Sequence, residues 1–199
     1  MMCASVARSA VYTVFNYSTM RSAMSLTVAP LLETSRLRLR LMRADDGDAL
    51  LAIFADPKVM AAFHMPPFDR TQMMQWVQRN LDHQATHGYG LFSVLFKANG
   101  LLIGDCGLEL MEVEGADVAE LGYDFRSDYW KQGYATEAAQ AVRDYAFQHL
   151  HLPRLISLIR VGNIPSRRVA EKIGMRWVGE IRRYGQQYWQ YRLDRETAT

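Results

Sequence analysis

Trp130-Lys131-Gln132-Gly133-Tyr134-Ala135-Thr136-Glu137 joins an apolar run to a long helical pattern, and the fold turns on how this junction is read. Gly133 removes a side chain where the backbone turns, and Ala135 is also small. A helix start leaves its first backbone N–H groups without intrahelical partners. Those donors and the helix dipole favour a phosphate ester or a diphosphate. Taken alone, the same residues also read as a plain turn glycine followed by a core alanine.

A second segment of this kind lies further along: Asn163-Ile164-Pro165-Ser166, continuing through Val169-Ala170-Glu171-Lys172-Ile173-Gly174-Met175. Asn163 suits a helix cap, Pro165 the first turn, and Gly174 the left-handed C-terminal position. Ser166 is then an ordinary first-turn serine. Because the segment follows a strand, the same helix start can also present an amide and a hydroxyl to a ligand.

Around these junctions the order of elements can be read from periodicity. Arg36–Leu41 alternates charged and apolar residues, the pattern of a half-buried strand. Asp45 or Asp46 can cap a helix to about Ala55, with Leu50, Leu51 and Phe54 inward, and Asp56-Pro57 ends it. Phe63–Phe68 is too proline-rich for a regular element. A helix from Thr71 carries Met73, Trp76, Val77 and Leu81 at helical spacing and closes at Gly88 and Gly90. Strand-like runs follow at Leu91–Phe96, Leu101–Leu110 and Val118–Phe125, separated by Asn99-Gly100 and by the polar stretch Glu112–Asp117. A long helix over Tyr134–Leu150 places Ala135, Ala138, Ala139, Val142 and Ala146 on one face. A strand over Leu155–Val161, a helix over Ile164–Ile173, and a closing hairpin of Arg176–Arg182 with Gln187–Tyr191 around Gly185 complete the chain. This is neither an alternating βαβ series nor a repeat array. It predicts one mixed sheet covered by helices.

Composition narrows the function classes. The chain has 199 residues, 49% hydrophobic and 22% charged, an ordinary globular balance. A net charge of +2, with basic residues dispersed apart from pairs such as Arg167-Arg168 and Arg182-Arg183, makes no electrostatic case for nucleic acid. Cys3 and Cys106 form no CxxC and no disulfide framework, which fits a reducing, cytoplasmic compartment. No apolar run approaches the ~20 residues of a membrane span. Residues 1–24 contain Arg8 and Arg21, many Ser, Ala and Thr, and no acidic residue. They read as a targeting segment or, preferably, as an over-extended start, since Met20 and Met24 are internal alternatives. The stretch is excluded from the fold and expected to be poorly ordered.

At its two helix junctions the chain resembles the GNAT acyltransferase superfamily, and within it the branch of ribosomal-protein N-terminal acetyltransferases of the Rim type. Trp-Lys-Gln-Gly-Tyr-Ala-Thr-Glu-Ala is similar to that branch's pyrophosphate loop. Asn-x-x-Ser-x-x-Val-Ala-Glu-Lys-x-Gly-Met is similar to its second CoA-contacting helix, and Glu33–Arg40 to its opening strand. The resemblance covers about Leu32–Tyr191. Trp130 stands where the wider superfamily has Gln or Arg, as is common in the Rim-like branch.

This resemblance implies an α/β (α+β) fold over residues 25–199 as a single domain: a mostly antiparallel, splayed sheet flanked by helices. Acetyl-CoA would be the co-substrate and no metal would be needed. Its pantetheine arm would pair with strand Val118–Phe125 through backbone groups near Phe125, Arg126 and Ser127. The loop Lys131, Gln132, Gly133, Tyr134, Ala135 and Thr136 would hold the pyrophosphate, with N–H groups from Gln132 to Thr136. Asn163 and Ser166 would lie near the pantetheine and thiol. A homodimer is a further family expectation.

Amine acetylation needs a neutral amine, hence a proton acceptor, and a donor for the carbonyl oxygen. On an extended strand Val118, Glu120, Gly122 and Asp124 share one face, and Ala119, Leu121, Tyr123 and Phe125 the other. Glu120 is therefore expected to point toward a cleft or solvent and to serve as base or amine-orienting carboxylate, the alternative being an exposed strand carboxylate. Ser166 is the candidate acid for the leaving thiolate, beside Asn163; Tyr123 and Tyr134 are alternatives.

Other reactive residue types read more plainly. His83 and His87 are spaced to share a metal, but Gln84 follows where a zinc protease has Glu, so a surface pair is expected. His149 and His151 suit a helix end. His64 could line an acceptor mouth, and Cys106 reads as a small core residue. Phe63–Phe68, the second helix and the final hairpin would frame the acceptor: a protein N-terminal amine, an amino acid, a polyamine or an antibiotic. No acidic run favours the polyamine. The rival readings are a non-catalytic CoA-binding protein and an acetyltransferase acting on aminoacyl-tRNA.

Overall fold

The charged-apolar alternation becomes strand β2 (Leu37–Leu41), whose Leu37 and Leu39 are fully buried. The computed structural model describes residues 31–113, 115–183 and 185–197; the expected extension over 1–24 lies outside them. Ahead of β2 lies β1 (Leu31–Glu33). After it come β3 (Leu91–Phe96), β4 (Leu102–Val113), β5 (Ala116–Phe125), β6 (Arg154–Arg160), β7 (Arg176–Arg183) and β8 (Gln186–Asp194). They form one eight-stranded sheet in the order β1-β2-β3-β4-β5-β6-β8-β7. Every neighbouring pair is antiparallel except β5 and β6. That parallel pair is joined only at Ala119–Leu155 and Glu120–Ile156, so the two strands part beyond these residues and leave the expected splay.

One face of the sheet is covered by α4 (Tyr134–Gln148) and α5 (Ile164–Lys172). Ala138, Ala139, Val142 and Ala146 of α4 are fully buried against Ile103, Cys106, Leu108 and Leu121. Small residues at helical spacing let the helix lie close to the strands. The other face carries α1 (Gly47–Phe54), α2 (Pro57–Ala61) and α3 (Arg70–His87). Phe54, Met60, Met73 and Trp76 pack there on Leu91 and Leu102. A smaller cluster of Met111, Val113, Ile156 and Leu158 lies on β4 and β6. Phe63–Phe68 contains no helix or strand beyond turns, as expected.

Several local expectations are corrected. Asp46 does not cap α1 through its side chain. Its carboxylate instead accepts from Arg40 at 2.6 and 2.7 Å, from the Ser93 hydroxyl at 2.6 Å and from the Arg43 N–H at 2.8 Å. A bidentate guanidinium in a buried setting outcompetes an exposed cap. Asp56 does more than end α1: its side chain accepts the Lys58 N–H and starts α2. Leu51 is only half-buried, and Ile53 takes the inward position. The polar stretch after β4 shrinks to a tight turn, since β4 runs to Val113 and β5 begins at Ala116. Of the expected surface pair, His87 is exposed but His83 is half-buried and engaged. Its Nε2 accepts the Leu110 N–H at 2.8 Å, its Nδ1 lies 3.1 Å from the Tyr89 carbonyl, and burial lowers its pKa.

Candidate active site

The loop before α4 turns through two left-handed residues, Lys131 at φ 61° and Gly133 at φ 86°. Gly133 is the cap residue of α4, no side chain caps the helix, and the first main-chain bond of the turn runs from the Glu137 N–H to the Gly133 carbonyl. The N–H groups from Gly133 to Thr136 therefore have no partner inside the helix, and Lys131, Gln132 and Gly133 are exposed. Left-handed backbone at both ends of Gln132 turns successive N–H groups toward one side, an anion-binding concavity. Tyr134 differs from its neighbours, since its ring is buried.

What holds this loop was not apparent from its own sequence. Arg36, at the entry to β2, donates from Nε and Nη2 to Glu137 at 2.7 and 2.6 Å, and from Nη1 to the Gln132 carbonyl at 3.0 Å. Its guanidinium also lies 4.3 Å from the centre of the Tyr134 ring. Glu137 additionally accepts the Thr34 hydroxyl at 2.5 Å and the Arg36 N–H at 2.9 Å. The opening strand and the loop, quoted above as separate motifs, are thus one structural unit. These interactions hold the Glu137 carboxyl below its usual range against the opposing effect of burial. The Tyr134 ring is part of this support.

The splay between β5 and β6 is bridged by side chains. Leu158 donates its N–H to the Glu120 carboxylate at 3.1 Å, and Ser157 donates its hydroxyl to the Leu121 carbonyl at 2.6 Å. Further out, the Tyr123 hydroxyl donates to the Ser166 carbonyl at 2.8 Å. Asn163 caps α5 as expected, accepting the Ser166 N–H at 3.2 Å. Asn163, Ser166 and Tyr123 are therefore brought together beside the notch, with Glu120 at its vertex.

The main-chain groups facing the notch follow from alternation. Arg126 donates its N–H to Ile103, on the β4 side, so the odd residues Leu121, Tyr123 and Phe125 face away from β4. The Phe125 carbonyl accepts the Trp130 indole N–H at 2.8 Å. The Arg126 and Ser127 carbonyls accept N–H groups within their own turn, and the Ser127 hydroxyl donates to Asp56 at 2.6 Å. Of the three residues expected to pair with a pantetheine arm, Phe125 turns its N–H toward the notch, while the Arg126 N–H is taken by Ile103. Tyr123, which has no β6 partner, is the additional residue with main chain toward the notch.

Glu120 departs from the expectation of an open cleft or solvent: it is 3% exposed. Parity places it off the α4 core, as read, but the face it joins is covered. Burial pushes its carboxyl up to about 8. Burial also raises the Tyr123 phenol and, strongly, the Cys106 thiol, so Cys106 is a protonated core residue. Among the described residues, no group of three His, Cys, Asp or Glu side chains is placed to hold a metal. Nor is any helix long and apolar enough to cross a membrane.

A splayed mixed sheet flanked by helices, with an uncapped helix start beside its notch, is an α/β fold with a site suited to an anion. Residues 36–176 match the family model of the acetyltransferase (GNAT) domain. The protein YkkB of Bacillus subtilis is 38% identical over 154 residues, covering 77% of this chain and 89% of that protein. A GNAT-family acetyltransferase structure from Bacillus anthracis superposes with a TM-score of 0.71 at 28% identity, covering 84% of this chain and 99% of that one. RimL, a ribosomal L7/L12 alpha-N-protein acetyltransferase, shares the fold at a TM-score of 0.71 and 16% identity, covering 87% of this chain and 98% of its own. This chain belongs to the GNAT family of acetyltransferases.

Proposed function

We propose that the chain transfers an acetyl group from acetyl-CoA to a primary amine, with Glu120 as the proton acceptor. The observation that carries this reading is the juxtaposition of Glu120, at the vertex of the notch, with the uncapped start of α4. Acetyl-CoA supplies the acyl group as a thioester. The N–H groups from Gln132 to Thr136 hold its diphosphate, and Arg36 with Glu137 keeps the loop in shape to do so. Main-chain groups of Tyr123 and Phe125 pair with the pantetheine arm as an added strand.

A carboxyl with a pKa of about 8 is a competent base near neutral pH, because its proton affinity approaches that of the amine it must relieve. Ser166, half-buried at the start of α5, gives its hydroxyl proton to the departing thiolate and regains one from solvent, to which Glu120 releases the proton taken from the amine. Tyr123 orients this helix start through its bond to the Ser166 carbonyl. Asn163 holds the same turn by capping it. The amine enters from the α1–α3 face, where Phe63–Phe68 and the β7–β8 hairpin flank the sheet. The likeness to the Rim-type motifs favours an amine on a flexible acceptor, and the cysteine content favours a cytoplasmic setting. The test is thiol release from acetyl-CoA with a panel of amines, with products identified by mass spectrometry. CoA binding without transfer to any amine would instead make the chain a CoA-binding scaffold.

A further inference from the structure

Arg160 closes β6, two places beyond Leu158, whose N–H the Glu120 carboxylate accepts. Glu120 pairs with Ile156, so strand alternation puts Ile156, Leu158 and Arg160 on the Glu120 face of the sheet. Counting on from that pair, Gly122 of β5 is level with Leu158, and Arg160 lies one step further out. A Cβ placed on Gly122 would meet nothing within 4 Å, so the space just outside Glu120 is open. Arg160 stands at the outer end of that space.

Its guanidinium joins two elements that no local stretch of sequence connects. Nη1 donates to the Phe63 carbonyl at 2.7 Å, and Nη2 donates to the Gln186 side-chain oxygen. Phe63 follows α2 and packs with the helical cluster over Leu91 and Leu102, on the β3–β4 side of the notch. Gln186 starts β8, on the other side. The hairpin that carries Gln186 arches over the Glu120 face. Ile181 and Tyr188 pack there on Met111, Val113, Ile156 and Leu158, and Arg183 donates to the Glu112 carbonyl at 2.8 Å. Directly after Phe63, His64 takes a left-handed φ of 52°, uncommon for a residue with a side chain. The loop therefore turns sharply at the point where Arg160 takes hold of it.

Other half-buried arginines are engaged differently. Arg36, Arg40, Arg126 and Arg143 each meet a carboxylate. Among the described residues, Arg160 meets only neutral oxygens, one on each side of the notch. The planar fork of the guanidinium sends its two Nη groups to separate partners, which a single ammonium nitrogen cannot reproduce.

Resting on the acetyl-transfer reading above, we propose that Arg160 is a positioning residue for the acceptor: it straps the Phe63–Phe68 loop to the β7–β8 hairpin and so sets the width of the mouth through which an amine reaches Glu120. With the strap in place, slender amines pass and wide ones are held back. Acetyl-CoA, which lies along the notch and at the start of α4, does not depend on it.

The test uses Arg160→Met, which keeps length without donors, and Arg160→Lys, which keeps charge without the fork. CoA binding is first established by calorimetry. The acceptors are butylamine, phenethylamine and 2,2-diphenylethylamine, primary amines of rising width, with a short peptide beginning in alanine. In the wild type, kcat/KM is expected to fall at least about tenfold from butylamine to diphenylethylamine. In Arg160→Met, the KM for butylamine is expected to rise about fivefold, the KM for acetyl-CoA to stay unchanged, and the width preference to shrink to within about threefold. Hydrogen exchange should quicken in the loop and the hairpin together. Arg160→Lys should resemble Arg160→Met. An unchanged width preference in Arg160→Met, a KM for acetyl-CoA that rises in step with that for the amine, or wild-type behaviour in Arg160→Lys overturns the strap and leaves amine acetylation standing. CoA binding with none of these amines acetylated overturns the acetyl-transfer reading, and this inference with it.

Discussion

The Glu120 carboxylate accepts the Leu158 N–H over 3.1 Å at the point where β5 and β6 cease to pair. The bond stands where a further ladder bond between the strands would otherwise be. It lets the strands diverge while satisfying a buried donor, and it fixes the carboxylate at the vertex of the notch. An accepted hydrogen bond alone would lower the carboxyl's pKa; burial outweighs it and leaves the group near 8. Structure and chemistry thus meet in one side chain.

Glu120→Gln keeps the shape and the ability to accept from Leu158 but cannot take a proton. Its kcat/KM is expected to fall about 10²- to 10⁴-fold. In the wild type, the ionised fraction of Glu120 grows as pH rises through about 8, so activity should climb over that window. The variant should lose that limb and keep only the rise contributed by the acceptor amine. A wild-type pH profile in the variant removes Glu120 from proton transfer.

The same residue links stability to pH. Its folded pKa lies above the unfolded value of 4.5, so between 4.5 and about 8 the folded state binds more protons. Its contribution is therefore complete below 4.5 and is lost as pH rises through about 8. The Tm of the unliganded protein is expected to fall across that interval, and less steeply in Glu120→Gln. Thermal scans at fixed ionic strength check this; parallel curves for the two proteins would contradict it.

Arg36 touches neither the notch nor its vertex, yet it braces the loop through Glu137, the Gln132 carbonyl and the Tyr134 ring. Arg36→Ala is expected to raise KM for acetyl-CoA about tenfold, equivalent to about 1.4 kcal/mol, with a smaller change in kcat. Arg36→Lys should recover only part of the effect, because an ammonium cannot reproduce the planar fork. Steady-state kinetics with acetyl-CoA as the varied substrate separates the two parameters. An unchanged KM would show that the loop keeps its form without this brace.

His83 is expected to matter for stability rather than for metal binding. His83→Leu leaves the Leu110 N–H without its acceptor and should cost about 1–3 kcal/mol in denaturant unfolding. Burial holds the folded pKa of His83 below its unfolded value of 6.5, so its stabilisation is present above 6.5 and lost as pH falls. Added zinc should leave the wild-type unfolding midpoint unchanged.

Long elements were legible in the sequence because their periods are carried by many residues. β3 runs from Leu91 to Phe96 as read, and α4 starts at Tyr134 as read. The three-residue β1 and the five-residue α2 were missed, since neither is long enough to show a period. Asp46 was misread as a cap because its partners, Arg40 and Ser93, are assembled only by the sheet. At the site, Asn163 and the loop glycine could be read locally. The Arg36–Glu137 brace could not, because it ties residues 101 positions apart. The sidedness of Glu120 followed from strand parity, whereas its burial depended on what covers that face.

The predicted effects on catalysis presuppose that the start of α4 and the β5–β6 notch grip the diphosphate and arm of a thioester carrier. Calorimetric titration of the purified chain with CoA measures that grip directly. The account predicts saturable binding to one site per chain, weakened in Gly133→Val, where a β-branched residue is forced to a φ of 86° at the loop's turn. No heat of binding for CoA or acetyl-CoA at millimolar ligand would contradict it.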